Sequence, residues 1–154
     1  MKIITVCLGN ICRSPMAEGI LRHLANERGL EITTDSAGTS HYHTGEAPDR
    51  RAQAAMLRHG INIADLRARQ FRAQDFEEFD LLLAMDADNL RNMHALAPNA
   101  KAASKAVLIM DYAPAHPERQ VPDPYFGGDE GFDAVFAMLT EAINSLLDHV
   151  DTDR

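Results

Sequence analysis

The sequence predicts an α/β protein with a three-layer αβα architecture, in which helices cover both faces of a four-stranded, twisted parallel sheet. Four apolar runs of strand length alternate with amphipathic helical segments, an order typical of parallel sheets. One of these runs, Leu81-Leu82-Leu83, is unbroken, as in strands that are buried on both faces. The 154 residues are 45% hydrophobic and 25% charged, which suffices for one domain with its own core.

The individual elements follow from local signals. Strands are predicted at 2–6, 31–36, 80–85 and 106–110. The first helix is predicted to begin at Pro15 with Ser14 as its cap, and to stop at Gly29. Further helices are predicted at 49–59, 73–79 and 86–96, and the last from its apolar residues within 132–150. A proline-rich loop, 111–128, separates the fourth strand from that helix.

The bulk properties limit the classes of partner. A net charge of −8 disfavours non-specific binding to nucleic acid or to an anionic membrane. The two cysteines share one loop, so neither a disulfide framework nor a structural zinc site is expected. The N-terminal apolar run is too short for a signal peptide or a membrane span. We therefore expect a cytoplasmic protein with a single domain over 1–150 and a disordered tail at 151–154.

The clearest chemical signal joins the first strand to the first helix, in the segment Cys7-Leu8-Gly9-Asn10-Ile11-Cys12-Arg13-Ser14. Loop amides and the positive end of a helix dipole converge at such a junction and bind anions. Cys7 can place a thiolate there, because a helix N-terminus and a nearby cation favour the ionised sulfur. Arg13 can place a planar guanidinium beside it. The segment therefore predicts a site where an oxyanion is held and attacked by sulfur.

Other residues of this segment fit that interpretation. Gly9 leaves room where the backbone wraps an anion, and the side chain of Asn10 can hold the loop by hydrogen bonds. The Ser14 hydroxyl can cap the helix or keep the sulfur ionised, two roles that compete for one proton. The spacing of a cysteine and an arginine also arises by chance, and a small buried cysteine is a common core residue. The full string at a strand-to-helix turn favours the functional interpretation.

With this loop, the chain resembles the low-molecular-weight protein tyrosine phosphatases of bacterial type. The resemblance spans nearly the whole chain and includes four further segments, Asp35-Ser36-Ala37-Gly38-Thr39, Arg69-Gln70, Met85-Asp86 and Asp123-Pro124-Tyr125. It implies a metal-independent, cofactor-free phosphatase with Cys7 as the nucleophile that forms a phosphocysteine, Arg13 as the phosphate clamp and Asp123 as general acid and then base. It further implies a supporting network behind the loop, made by Asn10, Ser14 and Ser36.

The general acid and the pocket walls are the next candidates. Pro122 and Pro124 stiffen the backbone around Asp123, although a Pro-Asp-Pro segment is also an ordinary turn. The residues expected to bind substrate are Leu8, Gly9, Asn10, Ile11, Cys12, Ser14, Tyr42 and Tyr125, with Phe126 as a further possible wall. Aromatic walls suit a flat ring, and depth favours phosphotyrosine over the shorter phosphoserine. His41 and His43 are expected to form part of a polar loop rather than a metal site.

Two positions leave questions open. Some members of the family, notably vertebrate ones, have a histidine that supports the loop asparagine three residues before Arg69, where this chain has Leu66. The support for Asn10 must therefore be simpler. Cys12 can come within disulfide distance of Cys7 and trap its oxidised form reversibly, or it can be a packing residue.

Three alternative functions also remain. Thiol-linked arsenate reductases of this fold need further cysteines downstream, and none follows Cys12 here. Protein arginine phosphatases of the family carry threonine at the position of Ile11, so the apolar side chain favours an aryl ester. A non-catalytic phosphopeptide-binding module can dispense with Cys7 or Asp123, and both are present. The expected partner is a phosphotyrosine protein, which for bacterial relatives is often a tyrosine kinase that controls surface polysaccharide.

Overall fold

Four parallel strands form the central sheet in the spatial order β2-β1-β3-β4, in a computed structural model that describes residues 1–152. The strands are β1 (Lys2–Cys7), β2 (Thr33–Gly38), β3 (Leu81–Ala84) and β4 (Ala106–Leu108). Six α-helices accompany them, α1 (Arg13–Glu27), α2 (Arg50–Leu57), α3 (Asp75–Glu78), α4 (Ala87–His94), α5 (Ala100–Ala103) and α6 (Asp129–Thr152). The predicted α/β class, with a four-stranded parallel sheet, is confirmed.

The side chains of β1 alternate between two apolar layers. Ile3 faces the layer that α1 and α6 cover, which includes Met16 and Phe132. Ile4 and Val6 face the opposite layer, a smaller cluster that contains Phe71, Phe76, Phe79, Leu82 and Met93. Because both faces are buried, β1 and β3 are apolar along nearly their whole length, which explains the unbroken run in the sequence.

Several element boundaries differ from the prediction. β2 runs two residues further towards the C-terminus than predicted, because Ala37 and Gly38 pair with Val6 and Cys7 of β1. The short helix α5 was not predicted, although the side chain of Asn99 accepts a hydrogen bond from the Ala102 amide and caps it.

The predictions for the end of strand four and for the C-terminal tail also need correction. A 3₁₀ helix, Ile109–Tyr112, takes the place of the end of predicted strand four and the start of the long loop. α6 continues through Asp151 and Thr152, where a tail was expected, and the remainder of that tail, 153–154, lies outside the described residues. Within residues 1–152, no helix combines the length and apolarity needed to cross a bilayer.

The carboxyl ends of three strands meet at one edge of the sheet. Cys7 ends β1, Gly38 ends β2 opposite it, and Asp86 follows β3 by two residues. The amino end of α1 points at the same edge. In parallel α/β sheets ligands bind at this edge, and here Cys7 and Arg13 lie at it.

Candidate active site

The loop between β1 and α1 is fastened to the segment that follows β2. The amides of Thr39 and Ser40 donate hydrogen bonds to the carbonyls of Cys7 and Leu8, each at 2.9 Å. A Cβ atom at Gly38 would lie 2.7 Å from the Leu8 carbonyl oxygen, closer than real side chains approach a backbone. The close approach of β2 to the loop therefore requires glycine at this position.

The sulfur of Cys7 lies at the centre of the loop. The side chain is 3% exposed, and the Asn10 amide donates to its Sγ at 3.3 Å. The Ser14 Oγ lies 3.0 Å from the same Sγ. The Asn10 amide and the Ser14 hydroxyl thus both contact the sulfur.

Asn10 organises the base of the loop. Its φ of 59° lies in the left-handed region, which residues other than glycine rarely adopt. Its Nδ2 donates to the Oγ atoms of Ser14 and Ser36 at 2.8 and 2.9 Å, and its Oδ1 accepts from the Arg69 amide at 3.0 Å. Because Asn10 donates to the Ser14 Oγ, the hydroxyl proton of Ser14 can be directed at the Cys7 sulfur or at the Ala37 carbonyl, which lies 3.4 Å from the Oγ.

The role predicted for Ser14 as a helix cap is corrected by the structure. α1 begins at Arg13, the capping position belongs to Cys12, and no side chain caps the helix. The Ser14 hydroxyl is engaged with Cys7 and Asn10 instead. Without a side-chain cap, the first amides of α1 are left available to an anion bound in the loop.

Arg13 is buried and held from behind. Its Nη1 donates to Asp86 Oδ2 at 2.6 Å and to the Val121 carbonyl at 3.0 Å. Burial opposes the charged form, but Cys7 and the hydrogen bond with Asp86 hold the pKa of Arg13 above its usual range. The guanidinium therefore stays cationic in a fixed orientation beside the sulfur.

Asp123 reaches the same pocket from the segment that precedes α6. Its Oδ2 lies 3.9 Å from Arg13 Nη2, and its Oδ1 accepts from the Tyr125 amide at 3.1 Å. The carboxyl group is partly exposed at the pocket mouth. The pocket is lined by Cys7, Leu8, Gly9, Ile11, Cys12, Arg13, His43, Asp123, Tyr125 and Phe126. All three predicted catalytic side chains thus lie in one cavity.

Comparison with known proteins decides the family. The model of the low molecular weight phosphotyrosine protein phosphatases matches residues 2–154. The chain belongs to this family. Its enzymes are phosphatases, and the resemblance that the sequence predicted is confirmed.

Individual relatives cover the phosphatase almost completely. A low molecular weight protein-tyrosine-phosphatase of Streptomyces coelicolor is 42% identical over 150 residues, covering 95% of this chain and 91% of the relative. The crystal structure of a protein tyrosine phosphatase from Entamoeba histolytica matches with a TM-score of 0.94 at 34% identity, covering 99% and 98% of the two chains. The Drosophila arginine phosphatase DARP matches with a TM-score of 0.93 at 35% identity, over the full length of both chains.

The aromatic wall of the phosphatase pocket differs from the expected one. Tyr42 is 79% exposed and stacks on His41 rather than lining the cavity. The next side chain, His43, lines it instead, with its Nδ1 2.9 Å from Glu46 Oε2. Phe126, which is 90% exposed, completes the wall with Tyr125.

Two predicted substrate-binding residues lie behind the pocket wall. Asn10 and Ser14 are both buried and do not line the cavity. Asn10 contacts Cys7, Ser14, Ser36 and the Arg69 amide, and Ser14 contacts Cys7, Asn10 and the Ala37 carbonyl. In this geometry both side chains support the loop from behind.

Cys12 is a buried thiol in the phosphatase. Burial, followed by the nearby Asp49 carboxylate, raises the pKa of Cys12 far above its usual range. Both Cys7 and Cys12 are free. The neutral, buried Cys12 is consistent with a packing role, and its function as a redox partner of Cys7 stays a hypothesis.

Three supporting residues escaped sequence reasoning. Asp86 orients Arg13, and Glu18, buried in α1, accepts a hydrogen bond from Ser36 at 2.7 Å. The Arg69 amide supplies the support for Asn10, while Leu66 packs against the core. Asp86 and Arg69 both lie in segments that carry the family resemblance, but a position in the sequence does not reveal a contact with the first loop.

Proposed function

We propose that this phosphatase hydrolyses phosphotyrosine in proteins through a phosphocysteine intermediate on Cys7, without a metal or another cofactor. One observation carries the proposal: the Cys7 sulfur, the fixed Arg13 guanidinium and the Asp123 carboxyl group line one cavity. A nucleophile, a positive charge and a proton donor are the groups that phosphate-ester cleavage requires.

In the first step, the Cys7 thiolate attacks phosphorus and the bond to the tyrosine oxygen breaks. Arg13 and the loop amides hold the equatorial oxygens, on which negative charge is spread in the transition state. Asp123 donates its proton to the leaving oxygen. Because a phenol has a pKa near 10, this proton contributes about 10²–10⁴-fold in rate.

In the second step, water attacks the phosphocysteine. Asp123, now a carboxylate, takes a proton from that water as the sulfur–phosphorus bond breaks. Phosphate leaves and the Cys7 thiolate is restored, with Ser14 and the Asn10 amide as its hydrogen-bond donors. The positive charge in this scheme comes from Arg13 and backbone amides, so that no metal is needed.

The walls above the loop support an aryl substrate. Leu8, Ile11, Tyr125 and Phe126 give an apolar lining to the cavity that contains Cys7. A phosphotyrosine ring fills such a cavity, whereas phosphoserine is too short to reach its base. The partner is therefore a phosphotyrosine protein, and a bacterial tyrosine kinase is the candidate that the family resemblance suggests. Because a free thiolate needs a reducing compartment, we place the activity in the cytoplasm.

A peptide panel tests this function. With EDTA present, we expect turnover of phosphotyrosine peptides but little of phosphoserine or phosphoarginine peptides. The phosphoarginine arm tests the activity named for the Drosophila relative. Cys7→Ser should abolish turnover while vanadate still binds. Turnover that survives Cys7→Ser, or that EDTA removes, would contradict the mechanism, and preferred turnover of phosphoarginine would contradict the substrate.

A further inference from the structure

A second arginine, Arg51 of α2, spans the gap between the phosphate-binding loop and the segment that follows Asp123. Its Nη2 donates to the Tyr125 carbonyl at 2.8 Å, and its Nη1 donates to the Gly127 carbonyl at 3.1 Å. The guanidinium carbon also lies 4.8 Å from the centre of the Phe132 ring and 5.6 Å from that of Tyr125. One side chain thus contacts the main chain and an aromatic ring of the same segment.

Asp49 fixes the position of this guanidinium. Its carboxylate accepts from Arg51 Nε and Nη2, each at 3.2 Å, in a bidentate arrangement. Burial opposes ionisation of Asp49, but the hydrogen bonds from Arg51 hold the pKa of this carboxyl group below its usual range. The Asp49 amide donates to the Ile11 carbonyl at 2.7 Å. The ion pair is therefore tied directly to the phosphate-binding loop.

Asp123 lies between two anchors, meaning two points at which the main chain is hydrogen-bonded to other segments. On its N-terminal side, the Val121 amide donates to the Met85 carbonyl at 2.9 Å, and the Val121 carbonyl accepts from Arg13. On its C-terminal side, among the side chains of residues 1–152, only Arg51 donates hydrogen bonds to the main chain of 124–127.

Arg51, the second anchor, is connected to the Asp123 carboxyl group through Tyr125. The Tyr125 amide donates to Asp123 Oδ1 at 3.1 Å, and the carbonyl of the same Tyr125 accepts from Arg51. A movement of Tyr125 therefore moves the group that orients the Asp123 carboxyl.

We propose that Arg51 is a positioning residue for the general acid, which holds Tyr125 so that the Asp123 carboxyl group faces the leaving oxygen. The proposal rests on the role proposed above for Asp123. Asp49 also caps α2, since its Oδ1 accepts from the Arg51 amide at 2.8 Å. The proposal gives the Asp49–Arg51 pair a second function, in which it sets the distance between the attacking sulfur and the proton donor. Small displacements of such groups are expensive, since about 1 Å can lower a rate 100-fold.

The test compares two aryl phosphates with Arg51→Gln. The value of kcat/KM reports the steps up to P–O cleavage, in which the acid acts. Phenyl phosphate needs the proton from Asp123, while p-nitrophenyl phosphate releases a much more acidic phenol. We expect kcat/KM to fall about 10- to 100-fold for phenyl phosphate and by a clearly smaller factor for p-nitrophenyl phosphate.

Matched variants separate positioning from general damage. Arg50→Gln removes the neighbouring arginine, whose side chain is exposed and makes no hydrogen bond or ion pair within the described part of the chain, and it should leave kcat/KM unchanged for both substrates. Arg51→Lys keeps the charge, but its compact ammonium group lacks the planar fork with which the guanidinium reaches the two carbonyls and the carboxylate together. It should show a weaker loss with the same bias between substrates. Thermal melting and vanadate binding establish that each variant is folded.

Combining Arg51→Gln with Asp123→Ala tests whether Arg51 acts through Asp123. If Arg51 acts through Asp123, Arg51→Gln should have little further effect on phenyl phosphate once Asp123 is gone. Equal losses on the two substrates, or an undiminished loss in the Asp123→Ala background, would overturn the proposal. An Asp123→Ala enzyme that itself shows no bias between the substrates would instead contradict the acid role of Asp123, so the two failures are distinguishable.

Discussion

Arg13 and Asp86 are 73 residues apart in the sequence, and their side chains meet at 2.6 Å behind the phosphate-binding loop. Asp86 is also the N-cap of α4, where its Oδ1 accepts from the Asn89 amide at 2.8 Å. One carboxylate therefore caps a helix and orients the guanidinium that the proposed mechanism assigns to the phosphoryl group. This contact links the end of β3 to the chemistry at the end of β1.

Removing this carboxylate should weaken phosphate binding. Hydrogen bonds to charged groups contribute roughly 1.5–3 kcal/mol, so Asp86→Ala should lower kcat/KM and vanadate affinity about 10- to 100-fold. Asp86→Asn keeps a hydrogen-bond acceptor, so its kcat/KM and vanadate affinity should fall less. Asp88→Ala on the same helix is the control, because Asp88 makes only an exposed pair with Arg91. Equal effects of Asp86→Ala and Asp88→Ala would argue against the anchoring role.

Gly38 is a structural requirement of the loop. In Gly38→Ala the new Cβ would meet the Leu8 carbonyl oxygen at 2.7 Å, so loop and strand must separate. Overpacking of this kind costs about 1–3 kcal/mol, and activity should fall with stability. Gly131→Ala, whose Cβ would meet the Pro124 side chain at an ordinary 3.5 Å, is the matched control. Urea unfolding and aryl phosphatase assays of both variants measure the difference; an unchanged Gly38→Ala enzyme would refute this reading.

Glu18 should make stability depend on pH. Burial raises the pKa of Glu18 above its ordinary value of 4.5, with a smaller opposing effect from the Ser36 hydrogen bond. The unfolded chain ionises first, so stability from this group is present below pH 4.5 and is lost as pH rises through the folded-state pKa. Glu18→Gln should therefore raise the melting temperature at neutral pH and flatten its decline above pH 4.5. A lower melting temperature at pH 7 would contradict this sign.

The pocket walls make a comparison of two tyrosines informative. Tyr125 lines the cavity, while Tyr42 projects into solvent. Tyr125→Leu should raise KM for phosphotyrosine peptides severalfold, because an aromatic contact contributes about 0.5–1.5 kcal/mol beyond its area. Tyr42→Leu should raise it less. Steady-state kinetics with one phosphotyrosine peptide measures both KM values. A larger increase in KM for Tyr42→Leu than for Tyr125→Leu would indicate that Tyr42 belongs to the binding site.

Much of the fold was predictable because local and global signals agree. The Leu81–Leu83 run and the apolar spacing in α6 reflect burial, which acts on whole segments. The extent of β2 was not predictable in the same way. Ala37 and Gly38 have weak strand preference and are extended because they pair with β1, a contact that propensity does not encode.

The site divides along a similar line. Cys7 and Arg13 were predictable because they lie in one contiguous segment at a strand-to-helix turn, where a cysteine and an arginine together indicate an anion-binding nucleophilic site. Asp123 required the family resemblance, since Pro-Asp-Pro alone is an ordinary turn. The contacts of Asp86, Glu18 and Arg51 could not be predicted, because each joins segments that are distant in the sequence.

The proposed mechanism depends on covalent catalysis by Cys7, and trapping the phosphocysteine tests for it. Asp123→Ala should slow hydrolysis of the phosphocysteine, because the base that activates water is missing. The variant is mixed with p-nitrophenyl phosphate, quenched, digested and analysed by mass spectrometry. We expect one phosphoryl group on the peptide that carries Cys7, and none when Cys7 is also replaced by Ser. A phosphoryl group on another residue, or turnover without any covalent phosphate, would contradict the mechanism.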